Sequence, residues 1–284
     1  MRSSLPAALV AAALAGCTAS TPKPAATAAP PTATAPNASL VRVVAHDFTF
    51  DGDKTAPAGL VAVRLVNQGH AIHMMGVARM DSGKTLADVV RDISNRNVDM
   101  SYWHELGGPG AVSAGDSVTD YLVLEPGTYS LICFWPDSTG KGHVQDGMMA
   151  TLTVTGTNAG APALPAPDVY VRQTDFHLEL PDTLNAGPHM FRIDNDGPSS
   201  HDLAVLRILP GHDEAAIETW LEHPTMHDAP VEAVGGIVGQ SRWASSEFAA
   251  TLPAGDYLFL CMMPMPGGKG THYMHGMIKR VHVT

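Results

Sequence analysis

Gly127-Thr128-Tyr129-Ser130-Leu131-Ile132-Cys133-Phe134-Trp135-Pro136, followed after a short gap by His143-Val144-Gln145-Asp146-Gly147-Met148, decides how the rest of the chain is read. The run from Gly127 to Phe134 is rich in β-branched, aliphatic and aromatic residues and is bounded by Gly and Pro, the signature of a strand. A Cys closes it, a Gly- and Pro-bearing loop follows, and a His and a Met precede the next apolar run. The same order returns as Gly255-Asp256-Tyr257-Leu258-Phe259-Leu260-Cys261-Met262-Met263-Pro264, then His272-Tyr273-Met274-His275-Gly276-Met277.

The recurrence extends far outward from these motifs. Val41-Arg42-Val43 and Asp47-Phe48 return 128 positions later as Val169-Tyr170-Val171 and Asp175-Phe176. The same shift carries Ala58-Gly59, Arg64, Asn67, Gly69 and His73 to Ala186-Gly187, Arg192, Asn195, Gly197 and His201, and Gly107-Gly108 to Gly235-Gly236. No gap is needed between Val41 and Gly142, so one domain has been duplicated. Within a copy, 41–50, 59–67, 118–124, 127–134 and 149–154 read as strands, which implies an all-β sandwich. Helical spacing interrupts the pattern once per copy, at 85–93 and 213–221. The expected layout is therefore domain 1 over 38–155, a linker over 156–167 rich in Pro, Gly and Ala, and domain 2 over 168–284.

The N-terminus carries a different message. Arg2 precedes an apolar run from Leu5 to Leu14, too short to span a bilayer and suited to a signal segment. Leu14-Ala15-Gly16-Cys17 looks like the lipobox of bacterial lipoproteins, so residues 1–17 are expected to be a lipoprotein signal with Cys17 as the lipidation site. Residues 18–37 are almost wholly Ala, Pro and Thr and read as a solvated tether. That places the protein in the cell envelope, lipid-anchored to a membrane and facing the periplasm or the cell exterior. The formal net charge of −11 and the absence of a basic cluster argue against a nucleic-acid partner.

The closing motif of each copy resembles that of the cupredoxins, the blue-copper electron carriers. That family ends its Greek-key sandwich with a strand closing on Cys, a loop bearing His, and a Met before the last strand, completed by an earlier His after an Asn-containing turn. The resemblance covers nearly all of 40–284. It implies two tandem cupredoxin-like sandwiches, each with a short inserted helix, and one copper per domain. Carried over residue by residue, the ligands are His73, Cys133, His143 and Met148 in the first copy and His201, Cys261, His272 and Met277 in the second. A thiolate and two imidazoles accommodate Cu(I) and Cu(II) alike, and a weak axial thioether tunes the potential.

Two features depart from the family. Nine residues separate Cys133 from His143 and ten separate Cys261 from His272, where the family generally has two to four. Met74 and Asp202 follow the first His, where the family often has Asn. His70 and His275 have no counterpart in the other copy and read as surface histidines. Of three Cys, one is the lipid site, and a disulfide between Cys133 and Cys261 would have to join the same end of two sandwiches.

The leading expectation is a membrane-tethered periplasmic copper protein that carries electrons to or from a redox protein or membrane complex. The alternatives are a metal-free structural subunit docked on a respiratory or photosynthetic complex, and a copper chaperone or store suggested by the Met clusters. Two-domain copper oxidoreductases need additional His ligands, often as His-x-His pairs or beside the Cys. Here Cys133 lies between Ile132 and Phe134, Cys261 lies between Leu260 and Met262, and no His-x-His occurs.

Overall fold

A computed structural model describes residues 38–95, 100–157, 166–222, 228–266, 268 and 270–284. The signal segment, Cys17, the tether and most of the 156–167 joint lie outside the described residues. The first copy runs β1 (Ser39–His46), β2 (Thr49–Gly52), β3 (Thr55–Pro57), β4 (Gly59–Asn67), β5 (Gly76–Met80), α1 (Leu86–Ser94), β6 (Trp103–Gly107), β7 (Ser117–Leu124), β8 (Gly127–Ile132) and β9 (Met149–Thr155). The second runs β10 (Val169–Thr174), β11 (His177–Glu179), β12 (Thr183–Leu184), β13 (Gly187–Asn195), β14 (His201–Ile208), α2 (Glu214–Glu222), β15 (Val231–Gln240), β16 (Ser245–Leu252), β17 (Gly255–Leu260) and β18 (Ile278–Val283).

Each copy is a two-layer sandwich. One layer of the first copy is β3-β9-β8-β5-β6, and the equivalent layer of the second is β12-β18-β17-β14-β15. Alternating burial shows why these segments pair as they do: β10 reads buried, exposed, buried along Val169, Tyr170 and Val171, so one face of the strand enters the core. The helices fall where their spacing put them. Thr85 caps α1 through a reciprocal capping box with Asp88, and Asp213 Oδ1 accepts from Ala216 N–H at the start of α2.

The other two layers are one sheet. Its order, β11-β10-β13-β16-β7-β4-β1-β2, crosses from one copy to the other through antiparallel pairing of β7 with β16. In that pairing Asp120 faces Phe248, and these are the same position of the repeat. Pro109 likewise faces Ile237, its own repeat mate, and Val238 N–H to Gly108 O (2.9 Å) is mirrored by Gly110 N–H to Gly236 O (3.0 Å). The copies are thus related by a pseudo-two-fold axis through Asp120/Phe248 and Pro109/Ile237, as in an isologous dimer. Backbone approaches so closely there that a Cβ on Gly110 would lie 2.4 Å from the main-chain carbon of Gly236 in the other copy. One buried apolar cluster runs through both copies, from Val41 to Val283.

One expected strand is divided. The 41–50 run breaks at Asp47-Phe48, where Phe48 takes a φ of 65°, and the chain reverses so that β1 and β2 form a hairpin. Phe176 does the same at 62°. Among the described residues no helix is long and apolar enough to cross a membrane.

Candidate metal centres

His73 stands on the loop between β4 and β5, held by an isolated bridge to Val112. Buried Asn67 organises that loop: its Nδ2 donates to Ala71 O (2.7 Å) and Val112 O (2.8 Å), and its Oδ1 accepts from Gly69 N–H. Asn195 repeats the arrangement with Ser199 O and Gly197 N–H around His201. Cys133 and Cys261 are the first residues beyond β8 and β17, at the same end of their sandwiches as these loops.

The long Cys-to-His loops fold back on themselves. In the first copy Pro136 bridges to Gly142, Asp137 N–H donates to Lys141 O, and Asp137 Oδ1 accepts from Thr139 and Lys141 N–H. His143 N–H then donates to Trp135 O and Val144 N–H to Cys133 O. The excursion is pinched off at its base, so only Phe134 and Trp135 effectively separate Cys133 from His143. The second copy does the same with a Pro264–Thr271 bridge, His272 N–H to Met263 O, and Tyr273 N–H to Cys261 O. A 3-10 turn carries each second histidine, at His143–Asp146 and His272–His275. Met148 and Met277 follow, fully buried, and their main-chain oxygens accept from Cys133 and Cys261 N–H.

These elements bring three donor atoms together in each copy. In the first, His73 Nδ1 lies 3.2 Å from His143 Nδ1, and Cys133 Sγ lies 3.9 and 3.6 Å from them. In the second, the corresponding distances are 3.1 Å between His201 and His272, and 3.8 and 3.5 Å from Cys261 Sγ. A triangle of either size has a centre about 2 Å from all three corners, the bond length of a first-row transition ion to nitrogen and sulfur. Two imidazoles and a thiolate are a donor set that suits copper, so residues and group fit. His73 and Cys133 are wholly buried, and His143 and His272 show only 2 % and 4 % of their surface. Both cysteines are free.

The surroundings prepare these donors. Burial, then the neighbouring His143 ring, lowers the His73 pKa to about 4, and burial lowers those of His143, His201 and His272 as well, which keeps the imidazoles neutral. Burial pushes the Cys133 thiol up to about 12 and Cys261 well above its ordinary value, so an incoming ion must displace the thiol proton.

Sequence reading passed over two supports. Asp47 Oδ1 accepts from the Nε2–H side of His73 at 3.3 Å, which fixes the ring proton there and turns the Nδ1 lone pair inward. Burial opposes ionisation of Asp47, but N–H groups of Ala71 and His70 and the His70 and His73 rings outweigh it and hold its carboxyl well below the usual range. Asp175 Oδ1 sits 3.3 Å from His201 Nε2, off the line that a good hydrogen bond needs. Gly69 is required at this point, since a Cβ there would lie 2.5 Å from Asp47 Oδ1 and 2.9 Å from His73 Nε2. Phe48 and Phe176 present ring edges to His143 and His272, at 5.1 and 5.3 Å between centroids. The signal for both supports was the repeated Asp-Phe pair.

His70 and His275 are exposed and outside the donor triangles: His70 pairs with Asp47 at 2.7 Å, and His275 tilts against Phe176. Asp202, in the place of the family's Asn, is a working support. Its N–H donates to Cys261 Sγ at 3.4 Å and its Oδ1 accepts from Met262 N–H at 2.6 Å. Burial raises its pKa to about 6 against those N–H groups. Met74 holds the same place in the first copy.

The fold is cupredoxin-like. No protein-family model and no curated protein matches the chain. Among solved structures, it is similar to a reduced auracyanin from the photosynthetic bacterium Roseiflexus castenholzii, at 20 % identity over 42 % of this chain and 98 % of that one, TM-score 0.32. It is also similar to auracyanin A, a blue copper protein of Chloroflexus aurantiacus, at 17 % identity over 41 % and 98 %, TM-score 0.29. A copper-containing nitrite reductase from Thermus scotoductus matches both copies together, at 11 % identity over 86 % of this chain and 61 % of that one, TM-score 0.25. At such scores the chemistry rests on the chain's own donor triangles. Each copy carries one candidate copper centre.

A cleft of about 480 Å³ opens between the copies beside the first centre. His143, Ile72 and Trp135 line it from the first copy and Leu209, Trp220 and Val231 from the second. Trp135 and Trp220 pack against each other across the copies, 6.3 Å between centroids.

Proposed function

We propose that the protein is a membrane-tethered, periplasmic electron carrier with one copper per copy, anchored through Cys17 and exchanging electrons with a redox protein or membrane complex. The observation that carries this reading is the buried Nδ1, Nδ1, Sγ triangle, built twice from the same strand ends and loops. Bound copper would supply a one-electron couple. The chain's own residues do the rest: neutral imidazoles and a cysteine hold the ion, Asp47 orients the His73 ring, and packed sandwich ends exclude water. A donor set fixed before the ion arrives changes little between oxidation states, which suits fast electron exchange. The edges of His143 and His272 are the least buried parts of the triangles and the natural points of electron entry and exit.

Metal analysis of the full chain tests this. Two coppers per wild-type chain, one in Cys133→Ala and none in the double Cys133→Ala, Cys261→Ala protein are expected. A folded wild-type protein that takes up no copper would leave the metal-free docked subunit as the better reading. Cys17→Ser should release the protein from the membrane fraction, and its retention after a high-salt wash would remove the anchor from the proposal.

A further inference from the structure

The outer face of the eight-stranded sheet is built differently in its two halves. Strand register puts Leu40 and Arg42 of β1, Arg64 of β4 and Val123 of β7 on this face, while Val41, Val63 and Leu122 point into the core. Five large apolar side chains stand exposed among the described residues, and three of them are here: Leu40 at 52 %, Val123 at 46 % and Tyr170 at 58 %. Between them Leu60, Ala62, Tyr121 and Met190 form a small apolar cluster separate from the core, and Ala38 packs against it. Residues 1–37, with Cys17 among them, therefore join the fold at this face. The charges differ between the halves. Arg64 Nη2 donates to Ser117 Oγ at 3.1 Å, and its repeat mate Arg192 donates to Ser245 Oγ at the same distance. Arg192 is neutralised by Asp194 at 3.0 Å and Glu247 at 3.3 Å. The first copy has Val66 and Thr119 at those two positions, and Arg42 as the cross-strand neighbour where the second copy has Tyr170. Arg42 and Arg64 thus stand side by side, and among the described residues no carboxylate forms an ion pair with either. Asp53, at the sheet edge, accepts from the Arg42 main-chain N–H. Arg64 Nε is buried without a hydrogen-bond partner, and burial and then Arg42 lower the Arg64 pKa with no acid opposing them.

We propose that the first-copy half of this face lies on a lipid surface, with Arg42 and Arg64 taking the phosphate of a lipid headgroup and Leu40 and Val123 entering the headgroup layer. This rests on the Cys17 anchor proposed above. Two adjacent guanidiniums without a carboxylate are a planar fork for a phosphate, and exposed aliphatic side chains beside them are stabilised by leaving water. The second-copy half is unsuited to that role, because its arginines are already paired with acids and Asp168 takes the place of Leu40. The net charge of −11 opposes an anionic bilayer, so the contact is local, weak and screened by salt. A lipid on Cys17 would hold the face at high local concentration near the bilayer, where a weak contact is enough to orient the molecule. β1 runs from Leu40 toward Asp47, which stands behind His73, so the contact leaves the first centre roughly 20 Å away along the strand direction.

The test is flotation of full-length protein with vesicles of phosphatidylglycerol and phosphatidylethanolamine, in a Cys17→Ser background so that no lipid on the chain contributes. The Cys17→Ser parent should bind at low salt and lose affinity as salt rises. Arg42→Gln should lower the vesicle affinity about fivefold, and Arg42→Gln with Arg64→Gln roughly 25-fold. Leu40→Asp, which installs the second copy's residue at an exposed site, should lower it as well. Arg172→Gln, on the other half of the face and paired with Asp196 and Glu179, should leave it unchanged. A parent that binds no vesicles, equal affinity of parent and Arg42→Gln, or an equal loss in Arg172→Gln overturns the lipid face. Dimerisation of the parent that Arg42→Gln abolishes, without vesicle binding, gives the face to a second copy and overturns it too. The anchor is read separately: retention of the Cys17→Ser protein in the membrane fraction after a high-salt wash removes the anchor, whatever the vesicles show.

Discussion

The two copies differ least where ligand geometry is set and most where charge is set. Their donor triangles agree to within the difference between 3.1 and 3.2 Å on the shortest side, although one loop is a residue longer and only its sister contains Trp135. Against this, a buried Met faces a buried Asp beside the sulfurs, and on the pseudo-two-fold axis Asp120 faces Phe248. A duplicated fold reproduces geometry through its backbone: strand ends, Asn-tied loops and pinched excursions recur whatever the side chains are. Electrostatics depends on single side chains, and there one substitution is enough to make two copies unlike.

Asp120 gives the largest expected effect. It is wholly buried between the copies, and burial pushes its carboxyl up to about 8. The folded protein therefore binds that proton more tightly than the unfolded chain, and the stabilisation is complete below the ordinary carboxylate value of 3.8. It is lost as pH rises toward about 8, a loss on the order of 5 kcal/mol. Asp120→Asn should remove this part of the pH dependence. Urea unfolding of both proteins at about pH 5 and about pH 9 checks it, and parallel pH profiles would show that Asp120 does not carry the asymmetry of the axis.

The closeness of the copies is probed next. Gly110→Ala should cost about 3 kcal/mol or more, because its Cβ would lie 2.4 Å from the main-chain carbon of Gly236 in the other copy. Gly83→Ala, at a φ of 83° but with open space around it, should cost about 1 kcal/mol. Thermal unfolding that ranks these two alike would contradict the tight pseudo-symmetric packing.

Smaller effects sharpen the comparison at the centres. Asp47→Asn weakens the orientation of His73 and should lower copper affinity of the first centre roughly 10- to 100-fold. Asp175→Asn should cost the second centre less, because Asp175 and His201 are poorly aligned. Competition with a chelator, read separately in the two single-cysteine proteins, measures both. Met148→Leu should keep the copper and raise the first centre's potential modestly, since loss of a weak axial donor favours Cu(I). A potential unchanged in that variant would mean that Met148 only fills space.

Much of this was legible in the sequence because duplication doubles every signal. The Cys-loop-His motif and the unbroken register at a 128-residue shift identified two sandwiches and the two histidines and one cysteine that the structure brings together in each. The closed loops were not legible: nine residues between Cys133 and His143 look like a distance, and only the Asp137 turn and the Pro136–Gly142 bridge show that they are a detour. Asp47 and Phe48 were visible as a repeated pair, but their role depends on a left-handed backbone at Phe48 that a residue of its type rarely adopts. The shared sheet was equally hidden, because β7 and β16 alternate like any half-buried strands and nothing in that pattern says which edge meets which.

The most direct test of the central claim is a Cu(II) titration of the intact, full-length protein followed by visible absorption and by metal content. Two structurally matched Nδ1, Nδ1, Sγ centres predict an intense thiolate charge-transfer band that grows linearly and stops at two coppers per chain. A folded protein that shows neither bound copper nor that band would contradict it.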